Sequence, residues 1–190
     1  MANDLIDRIR RNHALEHATI HVLSEQHKGF SAQGNSTPKG FNLNIYGPVT
    51  ENDVVKAVEE AFQRLHAGEN RLAVHPNCGT VLLTMASLAT FSAIAVFGLE
   101  QRRQKRAGFN FSVFLGALPS TVLAVTIALI VARPIGITLQ DKFTVDSELA
   151  DMRVTSIRKV RPSMITRVFQ VLLGQVRSDE VSAYKIETVG

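Results

Sequence analysis

The chain has 190 residues, enough for one medium domain or two small ones, and 21 Lys and Arg against 17 Asp and Glu give it a formal net charge of +4. Its single cysteine, Cys78, excludes an intramolecular disulfide, and because no basic stretch is interleaved with aromatic residues we exclude DNA and RNA as partners. The first residues are polar and charged, so we expect no signal peptide there.

A first helix is predicted over residues 4–27, where apolar residues recur at helical spacing. It carries the pattern H-x-x-E-H, formed by His13, Glu16 and His17, and His21 follows four residues further on. Residues four apart lie one above the other on a helix. His13, His17 and His21 are therefore expected to form one line along the helix, which we call the histidine stripe.

The next segment predicts a β-hairpin. Over residues 41–46 apolar and polar side chains alternate, which is typical of a half-buried strand. Residues 34–40 contain Gly, Asn, Ser and Pro and are predicted to form the hairpin loop, with residues 30–33 as the partner strand.

A second helix is predicted to begin after Thr50, with Asp53 as its capping-box partner, and to end at Gly68. Residues 72–74 are a candidate short strand. They lead into residues 75–80, a loop rich in turn residues.

Two apolar runs dominate the middle of the chain. Residues 81–99 and 109–132 contain no charged side chain, and each run approaches or exceeds the roughly 20 helical residues that cross a bilayer. The connector, residues 100–108, is strongly basic. The pattern predicts a transmembrane hairpin with both termini on one side of the membrane.

After Pro134 the sequence is predicted to become soluble-like again. Residues 152–161 and 181–189 are candidate strands. Residues 163–176 predict a basic amphipathic helix, for which a position on the lipid surface and packing on a small sheet both stay open.

The expected fold class is an α+β membrane protein with three parts. Residues 1–79 form a small α-β-β-α-β domain that binds metal, residues 80–133 form the transmembrane hairpin, and residues 134–190 form a β-rich segment with one amphipathic helix. We expect an integral protein of the bacterial cytoplasmic membrane. The dense positive charge of the connector favours a connector on the cytoplasmic side. A charged N-terminal domain is difficult to export, however, which favours termini on the cytoplasmic side. We expect the second orientation.

Two pairs of residues are candidate metal ligands. His13 and His17, one helical turn apart, can reach a single ion, and His75 and Cys78 form an H-x-x-C pair in a loop. Imidazole nitrogen and thiolate sulfur suit zinc, so all four residues are predicted zinc ligands. Four such ligands make a closed structural site, whereas three and a water make a catalytic one. Glu16 would then be the general base, or it would accept a hydrogen bond from the N–H of an imidazole ligand.

The same residues have simpler interpretations. Two histidines four apart often arise by chance, and Cys78 can serve as a small apolar residue at the membrane edge. Ligation of haem by two histidines is a third interpretation, but it needs an apolar slot that the sequence does not identify.

Two motifs carry a resemblance. N-H-A-L-E-H-A at residues 12–18 and H-P-N-C-G-T at residues 75–80, with Gly68-Glu69 and Leu72-Ala73, resemble an uncharacterised bacterial membrane-protein family, a domain of unknown function. Its members join a short N-terminal domain carrying these motifs to a transmembrane hairpin and a small C-terminal β-rich segment. This resemblance implies no settled activity.

A shorter resemblance, over five residues, is to the inverzincin metallopeptidases of the pitrilysin group. It implies two imidazole ligands and a Glu that activates the zinc-bound water. In that group the third ligand is a Glu well downstream, but the corresponding distance here falls in the first apolar run, which has no acid. The third ligand would then be His75 or Cys78.

The sequence therefore predicts a membrane-anchored zinc protein, in its enzymatic form a metal-dependent hydrolase, a peptidase acting near the bilayer. The alternative is a non-enzymatic membrane scaffold or assembly factor with a structural metal site or none. The expected partners are the lipid bilayer and a membrane-proximal protein or peptide.

Overall fold

Two helices pack on one face of a four-stranded antiparallel sheet. The computed structural model describes residues 2–105, 110–162 and 181–190. Contacts divide the chain into two units, one made of Met1–His75 with Asp141–Gly190 and the other of Pro76–Gln140. The predicted helix over residues 163–176 lies outside the described residues.

The helices of the first unit are α1, Ala2–Gln26, and α2, Glu51–His66. α2 begins with the predicted capping box: the Asp53 backbone N–H donates to Thr50 Oγ1 at 3.3 Å, and the Thr50 backbone N–H donates to Asp53 Oδ2 at 2.9 Å. Both helices and this cap are confirmed.

Arg64 of α2 joins the helices on their solvent side. Its guanidinium donates to Glu25 of α1 at 2.6 Å and to Glu69, just beyond α2, at 2.9 Å. These hydrogen bonds raise the pKa of Arg64, and the bond to Arg64 is the main cause that lowers the pKa of Glu25. The hydrogen bonds of Arg64 thus fix the C-terminal end of α1 beside α2.

The sheet contains β1, Ser31–Thr37, β2, Gly40–Tyr46, β3, Arg153–Val160, and β4, Val181–Val189, in the order β1-β2-β4-β3. All neighbouring strands are antiparallel. The predictions of β2, β3 and β4 are confirmed.

The predicted loop at residues 34–40 is wrong in its extent. β1 continues through this segment to Thr37, which pairs with Gly40, so Pro38 and Lys39 alone form the turn. Pairing with the alternating strand β2 draws the Gly-, Asn- and Ser-containing residues into the ladder despite their turn propensity.

The core lies between the sheet and the two helices. β2 and β4 pair in a register that sets Leu43 opposite Tyr184 and Phe41 opposite Ile186. These four side chains are buried together with residues of both helices, including Leu15, Ala18, Val22, Leu23, Val54 and Val58. Strands from the two ends of the chain therefore complete one core.

The predicted strand at residues 72–74 is wrong, because Asn70–Ala73 form a short 3₁₀-helix. Gly68 turns the chain with a φ of +89°, and Leu72 and Ala73 are then buried in the core without pairing to the sheet. This short helix lies against α1 and leads the chain to His75.

The second unit consists of α3, Gly79–Arg103, and α4, Phe111–Leu139, which pack on each other. Two helices, Gly79–Arg103 and Phe111–Thr144, are long and apolar enough to span a membrane. Small residues of α4 permit close packing: a β-carbon on Gly136 would lie 2.9 Å from Val81 Cα. The expected pair of apolar helices is confirmed.

α4 continues through Pro134, after which the sequence was expected to become soluble-like. It continues to Leu139 and is followed by a π-helical turn, Gln140–Thr144. In an apolar helix the missing N–H of proline is tolerated when neighbouring groups adjust, so the proline did not mark the boundary.

Candidate metal centre

His13 and His17 of the histidine stripe are each held by a backbone carbonyl through Nδ1. His17, which is 3% exposed, has its Nδ1 at 2.7 Å from the Ala73 carbonyl oxygen, and His13 has its Nδ1 at 2.8 Å from the Thr144 carbonyl oxygen. A carbonyl oxygen can only accept, so Nδ1 of each ring is the donor. In the neutral rings the lone pair therefore lies on Nε2.

This is the arrangement that metal-ligating histidines usually have, with one ring N–H fixed on a carbonyl and the other nitrogen directed at the ion. The ring centroids of His13 and His17 lie 4.3 Å apart, as their spacing of one helical turn predicts. The two rings can thus present Nε2 to one ion.

Cys78 supplies the sulfur. It is the N-cap residue of α3, and its side chain is buried. One ligand atom each of His13, His17 and Cys78 all lie within 4.8 Å of one another, so this group could hold a metal ion. We call these three residues the ligand group.

His75 is not a member of that group among the described residues, although it is close. Its ring centroid lies 5.8 Å from that of His17 and 5.1 Å from that of His21. Burial lowers the pKa of His75 to about 4, and repulsion from His17 and His21 adds to the effect. The imidazole of His75 is therefore neutral at neutral pH, and its role as a ligand stays a prediction.

His21 completes the line of imidazoles. Its Nε2 lies 2.9 Å from the Val74 carbonyl oxygen, so Nε2–H is the donor and Nδ1 has the lone pair in the neutral ring. The sequence placed His21 on the stripe but gave no sign that it would contact His75, because that contact depends on the path of the chain after α2.

Glu16 lies against the sheet. It is 4% exposed, and its Oε2 accepts a hydrogen bond of 2.6 Å from Ser36 Oγ of β1. On a helix Glu16 lies about 60° around the axis from His13 and about 100° from His17, so its carboxylate borders the stripe on the side that faces β1. Its role as general base is not tested by this geometry.

Asn12 is a residue that the sequence analysis missed. It is 1% exposed, donates from Nδ2 to the Thr37 carbonyl oxygen at 2.9 Å and accepts from Thr188 Oγ1 at 2.7 Å. Asn12 thus fixes α1 over β1 and β4 at the residue next to His13. It is the first residue of the N-H-A-L-E-H-A motif, but nothing local in the sequence indicates its contacts with the sheet.

Comparisons with known proteins give a family but no activity. Residues 8–157 match a family described as a domain of unknown function (DUF6391). An uncharacterized protein of Picosynechococcus sp. (strain PCC 7002) is 43% identical over 94 residues, which cover 43% of this chain and 45% of that protein. The chain thus spans less than half the length of this relative, and no solved structure matches it.

Proposed function

The chain belongs to the family described as a domain of unknown function (DUF6391), and we propose that it is a membrane-anchored protein that binds zinc through His13, His17 and Cys78. One observation carries the proposal. Two imidazoles one helical turn apart each have Nδ1 fixed on a backbone carbonyl, and a buried thiol lies within 4.8 Å of their ligand atoms.

The donor set favours zinc over other abundant cations. Thiolate and imidazole suit zinc, whereas magnesium and calcium require oxygen ligands. In a tetrahedral zinc site the nitrogen and sulfur atoms would lie about 3.6 Å apart. Ligand atoms now within 4.8 Å would therefore approach one another by at most about 1.4 Å on binding.

Membrane anchoring rests on the apolar helices. Large apolar side chains of α3 and α4, such as Leu83, Phe91 and Ile130, are more than 60% exposed. Such exposure is favourable in the hydrocarbon of a bilayer and unfavourable in water. Because Cys78 immediately precedes α3, the bound ion would lie at the membrane face. We place the protein in the bacterial cytoplasmic membrane with both termini on the cytoplasmic side.

A hydrolase is the second candidate, because the ligand group has three members. Three protein ligands leave the fourth position to water, as in catalytic zinc sites. Glu16, one residue before His17, would accept the proton of that water, and a membrane-proximal peptide would be the substrate. In the non-enzymatic alternative, an assembly factor, His75 closes the site as the fourth ligand.

Metal analysis of the full chain purified in detergent tests the binding proposal. We expect about one zinc per chain in the wild type, as a closed or open mononuclear site requires, and loss of zinc in His17→Ala and Cys78→Ser. His66→Ala is the matched control, because His66 is an exposed histidine at the end of α2. Wild-type protein that takes up no zinc, or variants that keep it, would refute the proposal.

The substitution Glu16→Gln separates enzyme from scaffold. A mixture of quenched fluorescent peptides presented to the zinc-loaded protein is the probe. A hydrolase cleaves the mixture, and Glu16→Gln abolishes cleavage while zinc content stays unchanged. Zinc-loaded wild type that cleaves none of the peptides would favour the assembly factor.

A further inference from the structure

Three consecutive residues face the histidine stripe: the last residue of the 3₁₀-helix, Ala73, and the two that follow it. The carbonyl of Ala73 accepts from His17, the carbonyl of Val74 accepts from His21, and the ring of His75 is near both histidines. The segment 73–75 therefore orients two successive histidines of α1 and adds a third imidazole beside them.

The imidazoles form a continuous series in which His17 is buried and the other three are half-buried. Ring centroids are 5.1 Å apart between His21 and His75, 5.8 Å between His75 and His17, and 4.3 Å between His17 and His13. His21 and His75 are half-buried, as is His13 of the ligand group, whereas His17 and Cys78 are buried. An ion arriving from solvent can therefore meet His21 and His75 before the buried ligands.

We infer that His21 and His75 form an outer metal position from which zinc passes to His13, His17 and Cys78. The inference rests on the proposed function, since it concerns how zinc reaches the ligand group. Two imidazoles can hold a zinc ion that keeps two waters. Because two protein ligands are fewer than a complete site supplies, zinc binds weakly at this outer position. The ion then exchanges its waters and the imidazoles of His21 and His75 stepwise for His13, His17 and the Cys78 thiolate, whose proton is released to water.

Such a position has a specific kinetic consequence. A group that holds the ion only in transit lowers the barrier in both directions, so its removal slows association and dissociation together and leaves the affinity unchanged. A ligand of the final site behaves differently, because its removal mainly speeds dissociation and raises Kd. Rates and affinity measured on one variant therefore separate the two roles.

The experiment uses the full chain in detergent micelles. Association is followed by mixing with zinc and a fluorescent zinc indicator, and dissociation by a chase with EDTA. We expect His21→Ala to slow both rates several-fold with Kd unchanged. His21→Gln keeps an amide donor for the Val74 carbonyl but is a poor zinc ligand, so it should slow both rates as well and controls for loss of fold.

His66→Ala is the matched control and should leave both rates unchanged. The inference is overturned if His21→Ala and His21→Gln exchange zinc at wild-type rates, or if they raise Kd with faster dissociation, which would make His21 a ligand. Wild-type protein that binds no zinc would refute the proposed function as well, so the two failures are distinguishable.

Discussion

Gly34 of β1 and Glu16 of α1 lie so close that a β-carbon on Gly34 would overlap the Glu16 carboxyl group. Ser36, two residues along the same strand, donates a hydrogen bond to that carboxylate. The Glu of the H-x-x-E-H pattern is therefore held over the first strand. Gly34 is required there by the space that Glu16 occupies.

Gly34→Ala should displace the Glu16 side chain and lower the free energy of unfolding by about 1–3 kcal/mol, the usual cost of overpacking. Glu16→Ala removes the overlapping atoms. In the Glu16→Ala background, Gly34→Ala should therefore lower the free energy of unfolding much less. Thermal unfolding of the full chain in detergent measures both effects. Gly98→Ala, which meets no atom within 4 Å, is the control. Additive effects of Gly34→Ala and Glu16→Ala would contradict the assignment.

Asn12→Asp should destabilise the first unit. The carboxylate cannot donate to the Thr37 carbonyl, so a buried acceptor loses its partner at a cost of about 1–3 kcal/mol. The comparison is Asn35→Asp on the exposed face of β1, which should change the melting temperature little. Equal shifts for the two variants would show that the network through Thr37 and Thr188 does not fix α1.

The elements that could be predicted have local signals. The capping box of Thr50 and the alternation of apolar and polar residues in β2 each depend on residues close together in the sequence, and both are observed. The extension of β1 through Gly34 was missed because its residues favour turns and only pairing with β2 makes them a strand. The pairing of Leu43 with Tyr184 was not predicted either, since no local pattern encodes contact between distant segments.

The candidate site divides in the same way. The neighbouring rings of His13 and His17 follow from helical geometry alone. Their acceptors, by contrast, are the backbone carbonyls of Ala73 and Thr144, which any residue type would offer. Sequence reasoning therefore identifies the side chains that can bind an ion but not the groups that orient them.

Acidification should destabilise the zinc-free protein through His75. Its pKa falls from 6.5 to about 4 on folding, because burial disfavours the imidazolium. The unfolded chain then binds the proton at a higher pH than the folded chain does. The contribution of the neutral His75 ring to the free energy of unfolding is full above pH 6.5 and is lost as pH falls towards 4.

Melting temperatures measured across this range should fall less in His75→Asn than in the wild type, whereas His66→Asn should follow the wild type. Glu187 does not confuse the result, because hydrogen bonds from Lys185 and Ser156 hold its pKa at about 2, below the ordinary 4.5. Its contribution is present above pH 4.5 and is lost only between 4.5 and about 2. Parallel curves for wild type and His75→Asn would contradict the prediction.

Zinc should stabilise the folded protein in proportion to its occupancy of the ligand group. A ligand that binds only the folded state at one hundred times its Kd adds about 2.7 kcal/mol to the free energy of unfolding. We expect a rise in melting temperature for the wild type and for His66→Ala, but not for Cys78→Ser, which lacks the thiolate. The rise should weaken as pH falls, because protons compete for the sulfur and the imidazoles. An equal rise in wild type and Cys78→Ser would show that zinc acts elsewhere on the chain.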